Sequence, residues 1–297
     1  MIIVKKEDEN YPGRLKNIEN RPDSLYVIGK LPQDDRPSMA IVGARNSSPY
    51  GENLAYEYAR FLATAGVQII SGLARGIDSA AHAGALAAGG VTFAVLGCGV
   101  DVCYPSSGRK LYDNMKENGG LVSEFEPGAP PLAFHFPMRN RLISGFADGV
   151  LVVEAREKSG SLITVDHALD QGKTVFALPG RVGDLLSEGC NRLIYQGAVP
   201  AWKPEIILEE MGWTTTNGRF QTADEEKKGL GLAREDDLVY SCLGLNPKTV
   251  NQLQEETGLP YGKLVTSLAY LTCSGLAREI WKNHYIRNGV KRIMGDS

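Results

Sequence analysis

The stretch that decides the fold reads MAIVGARNSS and spans residues 39–48. Its first four residues form a continuous apolar run, which is typical of a strand buried on both faces of a parallel sheet. A glycine, a basic residue and two serines follow at once, and an alanine-rich helical pattern begins at Gly51. A strand, a glycine-bearing loop and a helix in this order predict the first half of a βαβ unit.

The same order recurs along the chain, which predicts an α/β domain with a mainly parallel sheet over residues 39–213. Short apolar runs mark the strands, and helical patterns lie between or after them. The predicted strands are Met39–Val42, Val67–Ile70, Thr92–Leu96, Gly120–Ser123, Val150–Val153 and Thr174–Ala177. The predicted helices are Gly51–Ala65, Ile77–Ala88, Gly108–Asn118, Asn140–Gly145, Ser161–Gln171 and Asp184–Gln196.

The segments on either side of this domain have a different character. Residues 1–38 are polar and interrupted by prolines, so we interpret them as an irregular lead-in. Residues 214–234 are threonine-rich and then charged, which is typical of a linker. Three apolar stripes at helical spacing and two short extended pieces follow from residue 235 onward. Three helices before a small hairpin predict a winged-helix-like domain over residues 235–290.

Composition narrows the class of protein. A length of 297 residues predicts about two domains, and 23% charged residues is an ordinary globular value. The five cysteines form no C-x-x-C pair, which argues against a disulfide framework or a zinc site and favours a cytoplasmic location. The sequence shows neither a signal peptide nor an apolar run long enough to cross a membrane. Because the net charge is −3, any nucleic-acid contact requires a local basic patch.

Glycine, serine and basic residues follow four of the predicted strands. In an open α/β sheet such loops gather at the carboxyl edge, where backbone N–H groups and helix N-termini can bind phosphate. A glycine of a single loop is explained equally well by a tight βα turn. Several such loops with basic residues together favour a phosphate-lined groove. The candidate residues are Gly43, Arg45, Asn46, Ser71, Gly72, Arg75, Lys158, Ser159, Gly160, Ser161 and Thr164.

A fifth candidate element spans residues 137–145, where two arginines flank an asparagine close to a predicted helix start. Guanidinium groups suit bidentate phosphate contact and stacking on bases, so Arg139, Asn140 and Arg141 join the candidate site. The alternative is a solvated helix start whose arginines form ion pairs with Glu124, Glu126 or Asp148.

Enzyme and metal motifs fail on inspection. The tripeptide Gly172-Lys173-Thr174 resembles the end of a P-loop, but His167 occupies the position of the required first glycine, and the tripeptide joins a helix to a strand. The four histidines have no metal-ligand spacing. The sequence therefore predicts no catalytic residue, no metal site and no cofactor.

Taken together, these motifs resemble the DprA/Smf family of DNA-processing proteins of natural transformation. The resemblance runs in family order over residues 40–200 and rests on several motifs. They are Gly43-Ala44-Arg45, Ser71–Asp78, Gly97-Cys98-Gly99, Tyr104-Pro105, Pro137–Gly145, Lys158–Ser161, Pro179-Gly180 and Gly189–Ile194. Two departures are an alanine at position 44, where serine is more common, and a lead-in too short for the helical domain that many members carry.

The resemblance implies an extended Rossmann-like fold that binds single-stranded DNA without catalysis, and a C-terminal winged-helix-like module near 235–290. It also implies that the protein protects incoming DNA, loads RecA during natural transformation and recombination, and forms a homodimer through the Rossmann-like domain. By the same resemblance, the DNA contacts would come from Arg45, Arg139, Arg141 and Lys158.

Two other functions remain open at this point. Phosphoribohydrolases are related Rossmann-like enzymes with a P-G-G-x-G-T-x-x-E motif, and Thr164 stands here where their catalytic glutamate would be. The winged-helix-like domain could bind duplex DNA or another protein. Its third predicted helix, 261–273, contains only one charged residue, Lys263, which is weak support for recognition of the major groove.

Overall fold

The computed structural model describes residues 1–213, 233–244 and 247–287. The chain divides into two compact units, Met1–Asn217 and Gly218–Ser297. Most of the predicted linker, 214–232, lies outside the described residues. Within the described ranges, no helix is both long and apolar enough to cross a membrane.

A nine-stranded sheet organises the first unit, in the order β1-β2-β6-β5-β4-β3-β7-β8-β9. The strands from β6 to β9 along this order are parallel, whereas β1 pairs antiparallel with β2 and β2 antiparallel with β6. The predicted α/β class is therefore confirmed. The strands are β1 (Ile2–Lys5), β2 (Ser24–Gly29), β3 (Ser38–Val42), β4 (Gln68–Ser71), β5 (Thr92–Leu96), β6 (Gly119–Ser123), β7 (Gly149–Val152), β8 (Thr174–Ala177) and β9 (Val199–Pro200).

Helices cover both faces of the sheet because successive residues of the central strands point to opposite sides. In β3, Met39 and Ile41 pack into one apolar cluster, whereas Ala40 and Val42 pack into the other. This arrangement explains why residues 39–42 form a continuous apolar run. The helices of this unit are α1 (Pro49–Thr64), α2 (Ile77–Ala87), α3 (Arg109–Glu117), α4 (His135–Phe146), α5 (Ser161–Asp170), α6 (Glu188–Tyr195) and α7 (Glu205–Glu210).

The lead-in was predicted to be irregular, and the structure corrects this prediction. Strands β1 and β2 lie within it and extend the sheet at one edge. Val4, Leu25 and Val27 are almost completely buried there, so a few apolar residues suffice to dock the segment. The prolines of the lead-in lie outside both strands, where they remove no ladder hydrogen bond.

A partly buried ion pair also ties the lead-in to the sheet. The guanidinium of Arg14 donates to both carboxylate oxygens of Asp148, at 3.1 and 2.9 Å. The same guanidinium donates to the carbonyls of Gln33 and Arg36, at 2.9 and 2.8 Å. Asp148 is thus committed to the fold, and it does not pair with the arginines of α4.

Helix α4 begins five residues before its predicted start at Asn140. Pro137 lies inside its first turn, where a missing N–H removes no intrahelical hydrogen bond. This earlier start places Phe136 and Arg139 on the helix, at the carboxyl edge of the sheet.

The C-terminal unit has the predicted order of three helices and a hairpin. Its elements are α8 (Arg234–Cys242), β10 (Lys248–Thr249), α9 (Val250–Thr257), α10 (Tyr261–Cys273), β11 (Ala277–Trp281) and β12 (His284–Arg287). The strands form an antiparallel sheet in the order β10-β12-β11. Val239, Leu253, Leu264 and Leu268 form its core. The prediction of a small C-terminal domain with helices and a short sheet is confirmed.

His82 is an unusual member of the core because it is completely buried in α2. Its Nδ1 lies 2.7 Å from the hydroxyl of Thr92, which in turn donates to the carbonyl of Ile69. Nδ1 therefore carries the hydrogen, and Nε2 has no partner among the described residues. Burial lowers the pKa of His82 to about 3.

Replacing His82 with leucine is expected to make the fold less sensitive to acid. Because the pKa falls from 6.5 to about 3 on folding, the unfolded chain binds a proton first as the pH falls. The stability associated with neutral His82 is complete above pH 6.5 and is lost toward pH 3, by about 1.4 kcal/mol per pH unit. In urea unfolding at pH 7 and at about pH 4.5, the unmodified chain should lose about 2–3 kcal/mol more than H82L. Equal losses in both chains would contradict a buried neutral imidazole.

Candidate functional site

A cavity of about 670 Å³ lies at the carboxyl edge of the main sheet. The loops after β3 and β7, the start of α5 and the first turns of α4 line it. Parallel strands bring these loops together because their carboxyl ends share one edge, as the sequence predicted.

Three exposed cations line the cavity: Arg45 after β3, and Arg156 and Lys158 after β7. None of the three forms an ion pair with a carboxylate in the described part of the chain. Their charges are therefore available to an anionic ligand. Arg156 was not predicted, although it precedes Lys158 by only two positions in the same loop.

The N-terminus of α5 supplies hydrogen-bond donors to the same cavity. The backbone N–H groups of the first helical turn have no intrahelical partner and lie at the positive end of the helix dipole. The hydroxyls of Ser159 and Ser161 lie 2.8 Å apart at this end. Nothing lies within 4 Å of a Cβ built on Gly160, so the backbone remains open to a ligand there. Thr164 lines the cavity one turn further along the helix.

The loop after β3 is held tightly against its neighbours. A Cβ on Gly43 would lie 2.7 Å from the side chain of Ile77 and 2.9 Å from the carbonyl of Glu154, so only glycine fits. The N–H of Ala44 donates to that same carbonyl at 2.8 Å. These contacts fix the relative position of the loops that carry Arg45 and Lys158.

Two aromatic side chains complete the cavity wall. The rings of Tyr104 and Phe136 have centroids 5.6 Å apart, and Tyr104 is 44% exposed. The guanidinium of Arg45 lies over the Phe136 ring, 5.1 Å from its centroid. Phe136 was missed by the sequence analysis; its place just before Pro137 in the arginine-bearing motif was the available signal.

Arg139, predicted as a phosphate contact, lies instead at the cavity floor and is only 3% exposed. Its Nη1 donates to the carbonyl of Gly72 at 2.9 Å and to the carbonyl of Val95. Burial lowers the pKa of Arg139 to about 10, although the negative charge of Asp78 opposes this shift. Burial likewise raises the pKa of Asp78. The guanidinium therefore holds the loops beneath the cavity in place, and a phosphate contact by Arg139 stays a prediction.

Ser71 and Gly72 likewise form hydrogen bonds within the protein. The hydroxyl of Ser71 donates to the carbonyl of Ile41 at 2.7 Å, and the N–H of Gly72 donates to Asp78 at 3.1 Å. Both residues are buried and do not line the cavity. They belong to the support beneath it.

Arg141 forms the ion pair that was the alternative interpretation of its motif. Its two Nη atoms each lie 2.6 Å from an oxygen of Glu124, and both side chains are only 12% exposed. Its Nε donates to the carbonyl of Asn20 at 3.0 Å. Arg141 thus anchors the lead-in. Arg75, in contrast, is exposed after β4 but does not line the cavity.

The structure therefore sorts the predicted residues into two groups. Those that line the cavity are Gly43, Arg45, Asn46, Arg139, Asn140, Lys158, Ser159, Gly160, Ser161 and Thr164. Those outside it are Ser71, Gly72, Arg75 and Arg141. Among the described residues, no group of three or more His, Cys, Asp or Glu side chains could hold a metal ion.

Comparison with known proteins gives a consistent result. Residues 2–212 match the family model of DNA recombination-mediator protein A. Protein Smf of Escherichia coli is 40% identical over 280 residues, which cover 92% of this chain and 74% of that protein. DNA processing protein DprA of Streptococcus pneumoniae is 43% identical over 203 residues, which cover 68% of this chain and 72% of that protein.

Solved structures support the same relationship. The X-ray structure of DNA processing protein A from Streptococcus pneumoniae has a TM-score of 0.68 and 42% identity, and the match covers 70% of this chain and 74% of that one. The protein from Helicobacter pylori, studied for its single-stranded DNA binding mode, has a TM-score of 0.64 and 31% identity over 70% of this chain and 95% of that one. The chain belongs to the DNA recombination-mediator protein A family, that is, the DprA/Smf family of DNA processing proteins.

Proposed function

We propose that the protein binds single-stranded DNA in the cavity at the carboxyl edge of the sheet and does so without catalysis. The observation that carries the proposal is the convergence of three cations without an ion-pair partner, Arg45, Arg156 and Lys158, on one cavity that also holds the exposed ring of Tyr104 and the half-buried ring of Phe136. The cations can bind the phosphates of a single strand, and its unstacked bases can stack on the aromatic rings.

The contacts divide by chemistry. Arg45, Arg156 and Lys158 neutralise backbone phosphates, and the N-terminus of α5 donates N–H groups to a phosphate oxygen. A base stacks on Tyr104 or Phe136, which duplex DNA does not allow because its bases are already stacked. These contacts are largely independent of sequence, since neither phosphates nor aromatic stacking distinguish bases strongly.

The cellular role follows from the family and from the protein's relatives. The Helicobacter pylori relative, described for its single-stranded DNA binding mode, supports the same ligand here. The family name, a recombination mediator, supports a role in which the bound strand is protected and RecA is loaded onto it. We extend this to natural transformation in the cytoplasm and to a homodimer formed through the Rossmann-like unit.

The lack of an exposed carboxylate among the described lining residues of the cavity argues against the enzyme alternative. Asp78 is the carboxylate among its described lining residues, and it is buried at the floor, where it accepts the N–H of Gly72. Thr164 occupies the place where a catalytic glutamate would be expected in the phosphoribohydrolase motif. Without an exposed carboxylate, general acid–base cleavage of a glycosidic bond has no evident proton donor or acceptor.

Fluorescence anisotropy tests the proposal with single-stranded and duplex oligonucleotides of one length across a salt series. Single strands should bind more tightly than duplexes. Three neutralised phosphates give a log–log salt slope of about −2 for single strands. Equal affinity for both forms, or a slope near zero, would contradict the proposal. Release of a free base from a nucleoside monophosphate would restore the enzyme alternative.

A further inference from the structure

The wing of the C-terminal unit carries an exposed aromatic ring. Trp281 ends β11, is 54% exposed, and pairs in register with His284 of β12. The two rings lie 5.2 Å apart. Asn283 has a left-handed φ of 62°, and its N–H donates to the carboxylate of Glu279 at 2.7 Å. The turn is therefore tight, and the acid of the wing is already engaged by the backbone.

Some cationic side chains of the C-terminal unit have partners within it, whereas others do not. Within residues 235–287, Lys248 is bound to Glu256 at 2.6 Å, and Lys263 to Glu235 at 2.5 Å. Arg287 donates to the carbonyl of Tyr240 at 3.0 Å. The side chains of Arg278 and Lys282 form no hydrogen bond or ion pair with the described residues, and Nε of Arg278 is buried without a partner. Both unpaired cations lie on the wing, close in sequence to Trp281.

The third helix of the unit, α10, is poorly suited to duplex DNA. Its exposed face presents Tyr261, Val265 and Tyr270, and its charged side chain, Lys263, is neutralised by Glu235. A recognition helix in the major groove depends on contacts to base edges and flanking phosphates. An exposed indole next in sequence to the exposed Lys282 and three residues from the half-buried Arg278 instead suits an unstacked base with its phosphates.

We propose that this wing is a second contact for single-stranded DNA. Trp281 stacks on a base, and Lys282 and Arg278 bind neighbouring phosphates. The inference rests on the proposed function in one respect, namely that the same strand also occupies the cavity of the first unit. Because both contacts belong to one chain, the second becomes intramolecular once the first has formed, and it strengthens binding only to strands long enough to reach both.

The test compares oligothymidylates of about 6 and about 40 nucleotides, using the full chain and anisotropy. Trp281→Ala should weaken binding of the long strand about tenfold and leave the short strand unchanged. Tyr261→Ala is the matched control, since it removes an aromatic ring of similar exposure (58% against 54%) from the same unit. If Trp281→Ala binds the long strand as Tyr261→Ala does, the wing contact is overturned. An equal tenfold loss on a duplex of the same length would overturn its assignment to single strands.

A second measurement separates failure of the wing from failure of the cavity. The chain has three tryptophans, so a variant with Trp202→Phe and Trp213→Phe retains Trp281 alone. Its emission should be quenched by the long single strand, and Lys282→Gln should reduce this quenching at a fixed concentration, whereas Lys263→Gln should not. If the unmodified chain does not bind the short strand, the cavity proposal fails and the wing proposal does not. The same holds if variants of the cavity residues bind the short strand as tightly as the unmodified chain. Absence of quenching at a strand concentration that saturates anisotropy would overturn the wing proposal.

Discussion

Reversing the charge of both Arg156 and Lys158 to glutamate is expected to weaken binding of a short single strand by about 100-fold or more at low salt. A hydrogen bond to a charged group contributes about 1.5–3 kcal/mol, and both such contacts are lost together. The new carboxylates would also repel phosphate. The log–log salt slope should become less negative by about 1.4, since two phosphates are no longer neutralised.

The double variant should remain folded, because both side chains are exposed and neither supports the core. Lys5→Glu with Lys16→Glu is the matched control: it changes the net charge equally at exposed positions that do not line the cavity. Anisotropy at several salt concentrations measures both chains. Similar affinities for the two double variants would mean that bulk charge, and not the cavity, attracts the strand.

Replacing Arg139 with glutamine is expected to have its largest effect on stability. The change removes the positive charge that opposes the burial of Asp78 and leaves the carbonyls of Gly72 and Val95 without their charged donor. Removing one partner of a buried charge pair costs about 3–5 kcal/mol. For a unit of this size, that loss lowers Tm by about 10 °C. Adding Asp78→Asn should restore part of the loss, because the uncompensated charge is then removed.

The salt dependence distinguishes this supporting role from a direct phosphate contact. At a temperature where Arg139→Gln is folded, its affinity should fall but its salt slope should match that of the unmodified chain. Arg45→Gln is the matched control at an exposed position of the same cavity, where stability should stay unchanged and the slope should become less negative by about 0.7. A shallower slope for Arg139→Gln with unchanged Tm would place its guanidinium on a phosphate.

Arg45 and Arg139 differ in a way that the sequence alone does not predict. Arg45, Arg139 and Arg141 each sit in a motif that suits phosphate binding, and composition does not separate them. The path of α4 across the sheet turns Arg139 inward beneath the loops and brings Arg141 against Glu124. Arg45 packs over the Phe136 ring and stays exposed, so its charge meets solvent. Burial of a side chain depends on contacts from distant residues, and one segment of sequence does not contain them.

The two strands of the lead-in were not predicted for a related reason. Its strands β1 and β2 carry the short apolar runs Ile2–Val4 and Leu25–Ile28, but β2 finds its place in the sheet only through the edge of β6, and β1 only through β2. Because the partner of β2 lies roughly 100 residues away, the apolar runs alone do not show which strand they pair with.

By itself, the sequence determined the parallel sheet, its glycine-bearing loops and the helical C-terminal unit, because apolar periodicity and turn chemistry are local properties. The edge at which those loops meet also followed, since parallel strands leave no other arrangement. The tertiary structure alone decided which cations face the cavity, which hold its floor, and which aromatic rings stand beside them. Those outcomes depend on how helices cross the sheet and on which charges find partners, and both are set by packing between residues far apart in the chain.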